Sequence, residues 1–195
     1  MNFLAHIYLS GTNEDLIIGN FIADSIKGKK YLNYPAGIQK GILLHRAIDS
    51  FTDTHPVVRN STSRLHKNYG HYSPVIIDIF YDHFLAANWE EYSNVALEDY
   101  IAGFYRLLQK NFSILPAPIQ RFMPYMVEEN WLLSYSSITG ISKILHQMNL
   151  RTKKRSKMDE AVNELREFYA EFGQDFKTFF PELLEYSQQK IKELQ

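Results

Sequence analysis

Ser73-Pro74-Val75-Ile76-Ile77-Asp78-Ile79-Phe80-Tyr81-Asp82-His83-Phe84-Leu85-Ala86-Ala87 reads as one helix. Ser73 suits an N-cap, and Pro74 fits the first helical position, where a missing N–H costs nothing. Ile76, Ile77, Phe80, Phe84 and Ala87 recur at helical spacing as a packing face, and the helix is expected to end near Trp89. The same pattern extends in both directions. Upstream, Glu14 to Ile26 carries Leu16, Ile17, Phe21 and Ile22 behind a Thr12 or Asn13 cap, and Gly28 with its flanking lysines ends it. A second helix runs from Pro35 or Ala36 to Thr52 on Leu44, Ala47, Ile48 and Phe51, and Pro56 opens a third that ends near Gly70.

Downstream, helices are expected over Ala96 to Gln109, Ile119 to Asn130 and, behind a Ser137 cap, Ile138 to Met148, with Pro116 and Pro118 as breakers. Ser156 and Asp159 resemble a capping box ahead of Ala161, Leu165, Phe168 and Phe172, and Pro181 opens the last helix. β-branched residues are scattered without strand alternation. The expectation is an all-α, single compact domain over residues 1–195, with about seven to nine helices.

Composition limits the chemistry. The 195 residues are 45% hydrophobic with 13 Phe and 13 Tyr, enough for a core without crosslinks. The absence of cysteine excludes disulfides, thiolate metal sites and cysteine nucleophiles. A formal charge of -1 argues against general nucleic-acid binding. Asn13, Glu14 and Asp15 come too early for a signal peptide, and no run approaches the roughly 18 apolar residues of a membrane span. A cytoplasmic protein with neither nucleic-acid nor membrane partners is expected.

Histidines and aspartates crowd the first 83 residues, where six of the seven histidines lie. His45, Asp49 and Asp53 are four apart, so each drifts about 40° around the helix from the last. Asp78 and Asp82 repeat that spacing on the later helix, with His83 about 100° further round. Two such helices can direct imidazoles and carboxylates at one point. Carboxylate and water suit hard divalent ions, and imidazole favours Mn²⁺ or Fe²⁺ over Mg²⁺. The plainer reading makes each His/Asp pair a surface hydrogen bond, His6 a partner for a backbone carbonyl, and Trp89 and Trp131 packing anchors.

Four blocks occur in order: Asn2-Phe3-Leu4-Ala5-His6, Gly19-Asn20-Phe21-Ile22-Ala23-Asp24, Gly41-Ile42-Leu43-Leu44-His45-Arg46-Ala47-Ile48-Asp49 and Asp78-Ile79-Phe80-Tyr81-Asp82-His83-Phe84. Together they resemble the acyl carrier protein phosphodiesterase family over nearly the full chain. The resemblance implies an enzyme that removes 4′-phosphopantetheine from the serine of holo-acyl carrier protein, in a helical frame distantly like the HD phosphohydrolases. It implies a divalent metal, Mn²⁺ first, with Mg²⁺ or Fe²⁺ as alternatives. The metal candidates are Asp24, His45, Asp78, Asp82 and His83, with His6, Asp49 and Asp53 as nearby alternatives. Asp82 or Asp49 would hold or deprotonate water, His83 or His6 would protonate the departing serine oxygen, and Arg46 could reach the phosphate or an outward salt bridge. The chain has Asp82-His83 in the reverse of the HD order, and no His-Asp dipeptide.

An acidic carrier protein calls for a basic docking surface. Five of the seven residues from Arg151 to Lys157 are basic, including Lys153, Lys154 and Arg155. Arg59, Arg64 and Lys67 offer a second patch. The rival functions are hydrolysis of a nucleotide or another small phosphodiester in the same centre, and carrier binding without catalysis.

Overall fold

The computed structural model describes residues 1–194. Every regular element among them is helical: α1 (Phe3–Tyr8), α2 (Glu14–Ile22), α3 (Ala36–Thr54), α4 (Pro56–Tyr69), α5 (Ser73–Ala87), α6 (Leu97–Lys110), α7 (Ala117–Glu128), α8 (Ile138–Arg151), α9 (Val162–Glu167) and α10 (Tyr169–Leu194), joined by short 3₁₀ turns. Eight span nine residues or more, and a continuous apolar core runs from Leu4 on α1 to Leu183 on α10. The all-α expectation is met. No described helix is long and apolar enough to cross a membrane.

α2 and α3 lie against each other because neither has a side chain where they cross. A Cβ on Gly19 would sit 2.2 Å from the Ile38 carbonyl oxygen, and one on Gly41 2.5 Å from that of Leu16. This approach puts the end of α2 beside the middle of α3, where the site forms. α5 runs through the centre, with Ile76, Ile77, Ile79 and Phe80 wholly buried.

Several boundaries differ from the sequence reading. Ser73 does not cap α5: it is the first helical residue, its buried hydroxyl has no partner among the described residues, and the 3₁₀ turn Gly70–Tyr72 runs straight into the helix. α5 ends at Ala87 rather than near Trp89, because the Asn88 backbone and side-chain N–H groups both return to the Phe84 carbonyl. α2 tightens into a 3₁₀ turn at Ala23–Ser25 instead of continuing to Ile26. Pro118 lies in the first turn of α7 rather than before it. Ser156 and Asp159 form no capping box. Ser156 donates to Asn149 Oδ1 at 3.0 Å and Asp159 accepts from Asn149 Nδ2 at 2.6 Å, which fastens the loop to α8.

Pro181 does not open a helix but sits inside α10. An interior proline costs about 3 kcal/mol. Phe172, Phe176, Phe179, Phe180 and Leu183 are fully buried on both sides of it, and each stabilises by about 1.5–3 kcal/mol. Packing therefore wins. α1 was not anticipated at all. It is six residues long, too short to persist alone, and Asp82 of α5 holds its N-terminal amides.

Candidate metal centre

His6 comes from α1, Asp24 from the turn after α2, and His45 and Asp49 from successive turns of α3. Asp49 lies between the two histidines, with Oδ1 3.1 Å from His6 Nε2 and Oδ2 3.0 Å from His45 Nε2. Asp24 Oδ1 is 3.2 Å from the same His45 nitrogen. The two imidazoles stack with centroids 4.0 Å apart. One ligand atom from each of His6, His45 and Asp49 lies within 4.8 Å of the others.

Asn20 on α2 sets the His45 tautomer. Its Nδ2 donates to the His6 carbonyl at 2.9 Å and to Ser10 Oγ at 2.8 Å, so its Oδ1 accepts from His45 Nδ1 at 3.0 Å. His45 Nε2, when neutral, thus presents a lone pair to two carboxylates. That contact needs positive charge: a proton in the metal-free chain, or a cation. Orientation of a ligating histidine through its other nitrogen is a usual companion of metal binding.

The charge states agree. Burial works against the His45 imidazolium, but hydrogen bonds to Asp24 and Asp49 outweigh it and raise its pKa to about 9. Burial and repulsion from His45 lower His6 to about 4, so His6 is a neutral imidazole. Burial also opposes the Asp49 carboxylate, yet the bonds from His45 and His6 hold its pKa well below the usual range. His6 Nδ1 is buried without a partner among the described residues. Two imidazoles and two carboxylates, one ring pre-oriented and one carboxylate shared, fit a divalent ion of mixed N/O preference.

Of the expected ligands, the structure brings Asp24 and His45 together and joins them with His6 and Asp49. Asp78 and the exposed Asp53 border the same cleft. Asp78 is bonded to the Met1 amine at 2.8 Å. Asp82 is fully buried and accepts from the backbone N–H groups of Asn2, Leu4 and Ala5 at 2.7–3.4 Å. His83, about 100° round α5, binds the Tyr135 carbonyl at 2.7 Å and the Tyr169 hydroxyl at 3.0 Å, away from the cluster. Arg46 donates to the Ile26 and Gly28 carbonyls and lies over the Tyr31 ring, pinning the α2–α3 connection. Asn20 is not a candidate from the sequence, because an amide on an apolar helix gives no titratable signal.

The cleft has a volume of about 1180 Å³. Asp24, His45, Asp49, Asp53 and Asp78 line one side, and Lys143, His146 and Arg151 of α8 line another. Of the proposed docking residues, Arg64 is paired with Asp175 and lies over Phe172, while Arg59 and Lys67 stand exposed on α4. Lys153, Lys154 and Arg155 are exposed beyond the end of α8.

A family model described as acyl carrier protein phosphodiesterase matches residues 1–183. An acyl carrier protein phosphodiesterase of Yersinia pestis is 30% identical over 97% of this chain and 99% of its own length. Proteins of the same name from Photorhabdus laumondii subsp. laumondii and Escherichia coli O6:H1 are each 29% identical over 97% of this chain, covering 96% and 99% of their lengths. No solved structure matches. The histidine–aspartate centre therefore lies in a chain matched along nearly its whole length, and that chain belongs to the acyl carrier protein phosphodiesterase family.

Proposed function

We propose that this cleft hydrolyses the phosphodiester between 4′-phosphopantetheine and the serine of holo-acyl carrier protein, releasing apo-carrier and free 4′-phosphopantetheine. The observation that carries the reading is Asp49 bridging His6 and His45 at the cleft wall, beside Asp24. His6, His45, Asp49 and Asp24 would hold the ion, Mn²⁺ first, with Mg²⁺ or Fe²⁺ as alternatives. When bound, such an ion polarises a phosphoryl oxygen and acidifies water.

The chain's own groups do the rest. Asp49, anionic and fixed by two imidazoles, orients the attacking water as a hydrogen-bond acceptor. Water's oxygen bonds to phosphorus, the bond from phosphorus to the serine oxygen breaks, and the proton that the water gives up passes to that oxygen as it leaves. Asp82 acts at one remove, by fastening the backbone amides of Asn2, Leu4 and Ala5, one to four residues before His6. The carrier docks on Lys153, Lys154 and Arg155, whose charge complements an acidic helical protein. A cytoplasmic location goes with that substrate.

The test compares purified holo-carrier with a small phosphopantetheine diester lacking the carrier. Release from the carrier alone is the expected result. Equal turnover of small diesters or nucleotides would replace the reading with a general phosphodiesterase, and tight carrier binding without release would make the chain a binding protein.

A further inference from the structure

The cleft lining carries two charged groups of side chains on different helices, an acidic and imidazole group on and around α3 and α5 and a basic group on α8, with Glu129 and Asp159 also in it. The reaction described above uses only one of them. On α8, Lys143, Gln147 and Arg151 are four residues apart, so they share a face, and all three line the cleft. Both cations are exposed. Among the described residues neither meets a carboxylate, and the one hydrogen-bond acceptor of the Arg151 guanidinium is Met148 Sδ at 3.8 Å. Five acidic or imidazole groups line the same cleft, yet the positive charge stays available to an incoming anion. Tyr135 also lines the cleft. Trp131, Ile144 and Met148 make the intervening surface apolar.

We propose that Lys143 and Arg151 form an anion-recognising wall that holds the phosphate of the phosphopantetheine arm against the metal centre. The ligand class is a phosphate ester on a flexible amide chain, with the charge set between the guanidinium and the metal ligands and the arm along Trp131 and Ile144. Arg46, tied to backbone carbonyls, is not available for that task. Because the wall recognises the phosphate rather than the carrier, it also binds the free product. The inference rests on the proposed reaction, but it makes a separate claim about affinity for the small ligand.

The test measures binding of free 4′-phosphopantetheine by calorimetry, with and without Mn²⁺, to the full chain and to Arg151→Gln, Lys143→Gln and the double variant. Turnover of holo-carrier is measured in parallel. A guanidinium–phosphate bond is among the stronger charge-assisted contacts, and a loss of about 1.5–3 kcal/mol corresponds to roughly 10- to 100-fold weaker product binding. The double variant is expected to lose that much product affinity without Mn²⁺ present, and to retain its circular dichroism spectrum. Arg151→Lys should recover part of the loss. Neutralising Lys153, Lys154 and Arg155 should weaken carrier turnover through KM while leaving product affinity within about twofold. Unchanged product affinity in the double variant, or no product binding by the full chain, overturns the wall. Product binding that depends on Arg151, in a chain that leaves holo-carrier intact, would support the wall while removing the proposed reaction.

Discussion

His45 occupies the position where proton and metal compete. Asn20 fixes its Nδ1 hydrogen, so whatever neutralises Asp24 and Asp49 must do so at Nε2. Its folded pKa of about 9 lies above the unfolded 6.5, so the stability it gives the metal-free chain is complete below 6.5 and lost as pH rises through about 9. A metal must displace that proton. Calorimetry of Mn²⁺ binding near neutral pH, in buffers of different ionisation enthalpy, should therefore show release of close to one proton, diminishing above about pH 9. Binding heats independent of buffer would mean that His45 is not a ligand. Asp82 behaves differently. Burial, opposed by the Met1 amine and three backbone N–H groups, raises it from 3.8 to about 7. Between those values the folded chain holds a proton that the unfolded chain lacks, so stability falls as pH rises across the window. Asp82→Asn should remove this slope and leave a buried α1 amide facing an N–H₂ group, costing about 1–3 kcal/mol. Denaturant titrations on either side of the window would detect both effects. A variant with full stability and no activity would instead place Asp82 in the chemistry.

At the scale of elements, the site depends on how closely α2 approaches α3. Gly41→Ala puts a methyl 2.5 Å from the Leu16 carbonyl oxygen, and backbone cannot yield as a side chain can. Overpacking of this kind costs about 1–3 kcal/mol. It should also part Asn20 from His45 and weaken Mn²⁺ binding, and thermal unfolding with a metal titration would check both. Preserved stability and metal affinity would show that the crossing tolerates a wider gap. Helices with a periodic apolar face were readable from sequence, since the burial of Ile76, Phe80 and Phe84 decides their phase. α1 and the continuity of α10 were not. One exists because Asp82 of a distant helix holds its end, and the other because five buried side chains outweigh a proline. Both causes lie in tertiary contact, which local propensity does not register.

For the whole molecule, the sequence reading identified the right chemistry but not the full grouping. The i,i+4 pair His45 and Asp49 is visible on one helix, and Asp24 enters through the Gly19–Asp24 block. His6 stands among the sequence candidates only as an alternative, because its place beside His45 and Asp49 depends on α1, which no periodicity announces. Asp78, Asp82 and His83 share one helix, yet they point to three sets of partners. The basic loop lies just past Arg151, so the proposed docking surface is contiguous with the cleft. Neutralising Lys153, Lys154 and Arg155 together should raise KM for the carrier several-fold at low salt and flatten its salt dependence, with kcat little changed. An unchanged KM would move docking to Arg59 and Lys67 on α4.

The most direct measurement is intact-mass analysis of holo-carrier after incubation with the full chain and Mn²⁺, with EDTA in place of Mn²⁺, and with Asp49→Asn in place of the full chain. The carrier should lose its phosphopantetheine mass only in the first sample. Loss of that mass in EDTA, or with Asp49→Asn at the same rate, would contradict a metal centre built on His6, His45 and Asp49.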